Sequence, residues 1–194
     1  MEKADIISIL RADKTVFSFK DILLASGENN PALLRRRIHY YIAQGQLYGI
    51  RRGLYAKDKN YNKLELAIKI FRPAYISFET VLAAAGIIFQ SYGQIFVASY
   101  QTKEIICDGR TYSFKKIKEA ILTNNAGIED KDNYSIAIKE RAFLDILYLN
   151  KEYHFDNLSA LDWDKVFELL PLYGNKRMAK KAKEYYEAFK ADNQ

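Results

Sequence analysis

The chain has 194 residues, 49% of them apolar and 28% charged, and carries a formal charge of +6 at pH 7. That is the composition of a globular protein with room for one or two small domains. Neither a membrane span nor a secretory signal is expected: the longest uncharged apolar stretch, around Leu82 to Phe89, is far too short to cross a bilayer, and the charged N-terminus has no apolar core followed by a cleavage site.

The first helix is expected from Glu2 to about Arg11, where Ile6, Ile9 and Leu10 share a face. Val16-Phe17 suits a short strand. Ser18-Phe-Lys-Asp21 then reads as a capping box opening a helix with Phe19, Ile22 and Leu23 inward, closed by Ser26-Gly27. Asn30 before Pro31 is a strong helix start and Gly45 an equally good stop. At 100° per residue, Leu34, Ile38, Tyr41 and Ile42 form the buried stripe. Arg36, His39 and Tyr40 then point away from the core, with Arg35 and Arg37 on the flanks.

Gln46 to Ile50 and Leu54 to Ala56 read as two strands joined by a tight turn at Arg51-Arg-Gly53. Asp58 to Asn62 is the expected linker. Beyond it come a helix over Lys63 to Phe71, ended by Pro73, and one over Phe78 to Ala85, capped by Ser77 and stopped by Gly86. Strands follow over Ile95 to Tyr100, Glu104 to Cys107 and Thr111 to Lys115, the last two joined by an Asp108-Gly109 turn. A strand over Tyr134 to Ala137 leads into a helix over Lys139 to Leu149. Helices around Leu161 to Leu170 and Asn175 to Phe189 complete the chain. The expected fold is therefore α+β: a winged helix-turn-helix over residues 1–60, followed by a mixed α+β domain over residues 61–194 with C-terminal helices.

The order helix, helix, arginine-bearing helix, arginine-tipped hairpin is the layout of a winged helix, in which one helix enters the major groove and nearby basic groups hold phosphates. Charge segregation supports double-stranded DNA as the partner. From Asn29 to Lys57 there is no Asp or Glu, whereas Arg35, Arg36, Arg37, Arg51, Arg52 and Lys57 all lie there. An ordinary solvated helix face mixes signs; clustered cations of one sign replace the counterions condensed on nucleic acid. Arginine suits both tasks, because its planar fork pairs with guanine or clamps a phosphate. His39 and Tyr40 suit contact with a phosphate or base, and suit packing at the domain edge equally well. Lys176, Lys180 and Lys183, with Arg177 beside them, offer a second basic surface on the last helix, for which a solvated face is the default reading.

Catalytic patterns are scarce, and no enzyme, cofactor or metal is expected. His39, His154 and Cys107 lack metal-ligand spacing, and no phosphate-cradling glycine loop or nucleophile elbow occurs. Glu79, Asp108, Glu140 and Asp145 would have to meet in space to bind magnesium as a nuclease does; local roles explain each of them better. The lone cysteine fits a reducing compartment, so a cytoplasmic location is expected.

Three segments resemble the AbiEi-type antitoxins and related regulators of viral defence from type IV toxin–antitoxin systems. Gln44-Gly-Gln-Leu-Tyr-Gly-Ile-Arg-Arg-Gly-Leu-Tyr-Ala56 resembles that family's K-G-x-L-x-x-I-x-R-G-L-Y pattern. Ala74-Tyr-Ile-Ser-Phe-Glu-Thr-Val-Leu-Ala-Ala-Ala-Gly86 and Ala137-Ile-Lys-Glu-Arg-Ala-Phe-Leu-Asp-Ile-Leu-Tyr148 are similar to its two downstream motifs, with Val81 and Phe143 standing where it usually has alanine and leucine. The resemblance implies a repressor, a homodimer on DNA, that binds inverted repeats before its own operon. Its second domain would counter a nucleotidyltransferase-like toxin. A regulator with no toxin partner, or a metal-dependent DNA-acting enzyme, are the alternatives. Arg35, Arg36 and Arg37 carry over to the groove-facing helix, and Arg51 and Arg52 to the wing. Ser77, Glu79, Glu140, Arg141 and Asp145 carry over as structural residues, Ser77 as a cap and Glu140 or Arg141 as an ion-pair partner.

Overall fold

The computed structural model describes residues 12–90 and 92–192, so the helix expected over Glu2 to Arg11 lies outside the described residues. Among these the fold is mixed α+β, with eight α-helices, one sheet of three strands and one of six. The chain divides into two compact units, the first ending at Ile70 and the second beginning at Phe71.

The first unit runs β1 (Val16–Ser18), α1 (Phe19–Ser26), α2 (Pro31–Ala43), β2 (Tyr48–Arg51), β3 (Leu54–Ala56) and α3 (Lys63–Ile70). Its local signals are geometric. The Asp21 N–H donates to Ser18 Oγ at 3.1 Å and the Ser18 N–H to Asp21 Oδ2 at 2.9 Å, completing the capping box of α1. Asn30 Oδ1 accepts from the N–H groups of Ala32 and Leu33 at 3.0 and 3.2 Å, and Pro31 occupies the first turn of α2. Leu34 and Ile38 are buried with Phe17, Ile22 and Leu47, while Tyr41 and Ile42 are half-buried against them. The strands pair antiparallel in the order β1-β3-β2, and Gly53 at φ +79° makes the tight turn between β2 and β3.

The segment Asp58 to Asn62, expected as a linker, folds onto this unit. Tyr61 is buried and stacks on Tyr48, with ring centroids 6.3 Å apart. Asn62 Oδ1 accepts from Leu64 N–H at 2.9 Å at the start of α3. Buried Glu65 on α3 then receives the Thr15 N–H at 2.9 Å, the Thr15 hydroxyl at 2.7 Å and the Val16 N–H at 3.1 Å. These donors at the head of β1 draw α3 into the first unit. Lys69, farther along α3, lies 2.7 Å from Asp21.

The second unit runs β4 (Ala74–Ile76), α4 (Glu79–Ala84), β5 (Gln94–Ser99), β6 (Lys103–Cys107), β7 (Arg110–Lys116), α5 (Glu119–Leu122), β8 (Ile128–Lys131), β9 (Tyr134–Ala137), α6 (Lys139–Leu149), α7 (Trp163–Leu169), a 3-10 turn (Leu170–Tyr173) and α8 (Lys176–Asp192). Its sheet has the order β6-β7-β5-β4-β9-β8, with β5–β7 and β4–β9 parallel and the other pairs antiparallel. Periodicity does not reveal β4, α5 or β8, each only three or four residues long.

The second unit also corrects the role expected of Ser77. The residue before α4 is Phe78, at φ 56° and without a side-chain cap, and the Ser77 hydroxyl instead donates to Asp145 at 2.7 Å. The Asp145 carboxylate also accepts from the hydroxyls of Tyr75 at 3.0 Å and Tyr173 at 2.6 Å. Arg141, one turn earlier on α6, donates to the carbonyls of Ala126 at 2.6 Å and Ile121 at 2.8 Å and to the Tyr75 hydroxyl at 3.2 Å. Its Nε lies 3.5 Å from Asp145, and both side chains are 0% exposed. Burial pushes the Tyr75 and Tyr173 hydroxyls well above the ordinary tyrosine range, and the neighbouring Asp145 adds to it.

Two tests follow from these contacts. Asp145→Asn strands a buried guanidinium and should cost about 3–5 kcal/mol in urea unfolding, whereas Arg141→Met combined with Asp145→Leu should cost less than that single change. A double variant weaker than Asp145→Asn would show that the network contributes more than its own desolvation takes away. At Asp21 burial raises the carboxyl, but the Lys69 ammonium and the Ser18 contacts outweigh it and hold the group below its ordinary range. A depressed folded value means stabilisation fully present above the unfolded pKa of about 3.9 and lost as the pH falls through the folded value. The stability gap between the native protein and Asp21→Asn should therefore be constant near neutrality and close below about pH 4; a gap that widens in acid would contradict it.

Candidate nucleic-acid interface

Leu34 and Ile38 turn one side of α2 into the core, and the helical period turns Arg36, His39 and Tyr40 outward. All three are exposed. The three arginines of α2 separate by environment. Arg35 is exposed, with its guanidinium 4.9 Å from the centre of the Phe19 ring on α1. It also lies near Tyr55 on β3, whose hydroxyl burial pushes up and Arg35 pulls back down. Arg37 is half-buried, with Nη1 3.1 Å from Glu28 Oε2. Only Arg36 has no side-chain partner among the described residues.

Arg51 and Arg52 flank the tight turn of the β2–β3 hairpin and are exposed. Lys57 behaves otherwise. It is half-buried, and its ammonium donates to the Ala12 carbonyl, so part of its charge serves the first unit internally. The acid-free window from Asn29 to Lys57 thus has an acid just outside it, because Glu28 reaches Arg37 across nine residues. Four arginines, 35, 36, 51 and 52, remain exposed without a carboxylate partner among the described residues. Leu33 was not singled out by the pattern of apolar positions, yet it is 39% exposed beside Arg36. Its spacing from Arg36 and Tyr40, three and seven residues, is the signal that could have found it.

The second basic surface is less uniform than its sequence implies. Lys176 and Lys183 are exposed, but Lys180 lies 4.0 Å from Glu184, and the adjacent Lys181 lies 3.1 Å from Glu152. Arg177 donates to the carbonyls of Leu147, Tyr148 and Asn150 at 3.0 to 3.2 Å. These belong to the end of α6, where helix geometry leaves carbonyls without internal partners. Arg177 is therefore a helix cap, and the surface reduces to lysines interleaved with acids.

The four acids weighed for metal binding have separate partners or positions. Glu79 lies 3.0 Å from Lys115, and Glu140 accepts the Asp162 N–H at 3.0 Å. Asp145 belongs to the Arg141 network, and Asp108 occupies the turn between β6 and β7. Among the described residues no group of three or more His, Cys, Asp or Glu side chains is placed to hold a metal ion. Nor is any helix among them long and apolar enough to cross a membrane. No protein-family model matches the chain, and no curated protein matches it in sequence.

Removing Arg177 should act on stability. Arg177→Ala leaves three carbonyls to water and should cost about 1–2 kcal/mol in urea unfolding. An unchanged midpoint would return Arg177 to the surface cations.

Proposed function

We propose that the first unit is a winged helix-turn-helix that binds double-stranded DNA, and that the protein is a transcriptional regulator. In this reading α1 and α2 form the helix-turn-helix, α2 enters the major groove and the β2–β3 hairpin is the wing. The observation that carries it is the partition of charge on α2 and the hairpin. Four arginines without carboxylate partners among the described residues are exposed there, and the core stripe forces Arg36 to face outward. A solvated face gains nothing from such an excess of one sign, whereas a phosphate backbone does. Arg36 is assigned to a base edge, Arg35 and the hairpin arginines to backbone, and Arg37 to either once it leaves Glu28.

The finer reading is an autorepressing antitoxin of a type IV system, acting as a dimer on inverted repeats, with the second unit directed at a nucleotidyltransferase-like toxin. It is supported by the order of three segments resembling that family. The second and third of these carry Tyr75, Ser77, Arg141 and Asp145, which form one buried network. Loss of toxicity when the protein is co-expressed with the product of the adjacent gene tests this part separately.

For DNA binding the decisive measurement is affinity for a duplex selected from a random pool, set against a shuffled duplex. Arg36→Ala should weaken the selected duplex by about 1–3 kcal/mol more than the shuffled one. Arg51→Ala combined with Arg52→Ala should weaken both alike and flatten the slope of log K against log salt by up to about 2. Equal affinity of the native protein for selected and shuffled duplexes would remove the regulator reading.

A further inference from the structure

We infer that Leu33 is a specificity residue of the α2 face and reads the C5-methyl group of a thymine beside the base pair contacted by Arg36. The inference rests on the DNA-binding reading and adds to it the chemistry of one further position.

Leu33, at 39% exposed, is not one of the buried core residues. One buried cluster of the first unit comprises Phe17, Ile22, Leu34, Ile38 and Leu47, and both Leu33 and Tyr40 lie outside it, among the exposed residues. Single exposed leucines are ordinary on protein surfaces. Placement sets this one apart. Among the described residues the first unit exposes three large apolar side chains, Leu24, Leu33 and Tyr40, and two of them lie on the stripe of α2 that carries Arg36. At 3.6 residues per turn, Leu33, Arg36 and Tyr40 fall within roughly 60° of one another. They span about 10 Å along the axis at 1.5 Å per residue, close to three base steps of about 3.4 Å.

The chemistry of the groove then selects the ligand. Leucine can neither donate nor accept a hydrogen bond, and the thymine methyl is the apolar group that distinguishes one base pair from the others at the major-groove edge. Leu33 sits in the first turn of α2, its N–H already held by Asn30. That is the end of a recognition helix from which side chains reach base edges. Ala32 and Ala43 are the other small exposed residues on this side and do not obstruct the approach of a duplex. A second copy of the chain is the competing occupant of an apolar helix face. Arg36, exposed between the two apolar groups and without a side-chain partner among the described residues, favours the polyanion.

The test uses the full chain and a duplex it selects from a random pool. Each thymine of that duplex is replaced in turn by deoxyuridine, which removes only the methyl group. One replacement should weaken binding of the native protein about fourfold, the worth of one buried methyl-sized group. Leu33→Ala should weaken the unmodified duplex by a similar factor and lose its sensitivity to that same replacement. A selected duplex in which every thymine methyl is dispensable to the native protein overturns the inference, and so does a Leu33→Ala protein that keeps the full sensitivity. The native-protein series needs no variant to fold. If no duplex is enriched at all, the DNA-binding reading falls instead, an outcome distinct from an operator with silent methyls.

Discussion

The rotation of α2 about its own axis is the constraint on which the candidate interface depends. Leu34 and Ile38, together with the half-buried Tyr41 and Ile42, allow only one side of that helix to face the core. Fully burying a side chain such as Leu34 or Ile38 is worth about 1.5–3 kcal/mol, far more than the few tenths at stake in any surface charge pair on a helix. The apolar stripe therefore wins, and the arginines point where the helical period sends them. The capping contacts of Asn30 and the tight turn at Gly53 set where the helix begins and how the hairpin follows it.

Within that frame the cations of the first unit divide into committed and uncommitted groups. Arg37 and Glu28 are partly exposed, so their ion pair belongs to the class worth about 0–1 kcal/mol, which a phosphate could outcompete. Arg35 over Phe19 is a contact of similar size. Neither anchors its side chain strongly. Lys57 is tied to the backbone at Ala12 and contributes least to an outer surface. A local field that is positive yet lightly tethered can follow a flexible polyanion, and it costs the fold little because the arginines keep their water.

The second unit makes the opposite choice by burying its charge. Arg141 and Asp145 lie fully inside, where an isolated ion would be prohibitive, and they are sustained by tyrosine and serine hydroxyls and by backbone carbonyls. The Ala126 carbonyl reaches Arg141 because the next residue is glycine. At Gly127, with φ at +71°, a Cβ would lie 3.0 Å from Leu169 and 3.1 Å from the Arg141 Cβ. The network thus joins β4, the turn before β8, α6 and the 3-10 turn. Its directional bonds specify their mutual register in a way that apolar packing alone does not.

The sequence by itself determined the elements whose signals are local: the capping box at Ser18 and Asp21, the Asn30-Pro31 start of α2, its Leu34–Ile38 stripe, the hairpin turn at Gly53 and the long helix after Ala137. Each rests on contacts three or four residues apart, or on a backbone angle that one residue type prefers, so spacing along the chain is spacing in space. Only the tertiary structure decided which charges remain free. Glu28 neutralises Arg37, Lys57 turns to Ala12, and Arg177 caps a helix some thirty residues earlier. It also decided that Ser77 serves Asp145 and that α3 belongs to the first unit, through a carboxylate and donors about fifty residues apart. Such pairings depend on where folding brings a distant group, and no local period encodes that position.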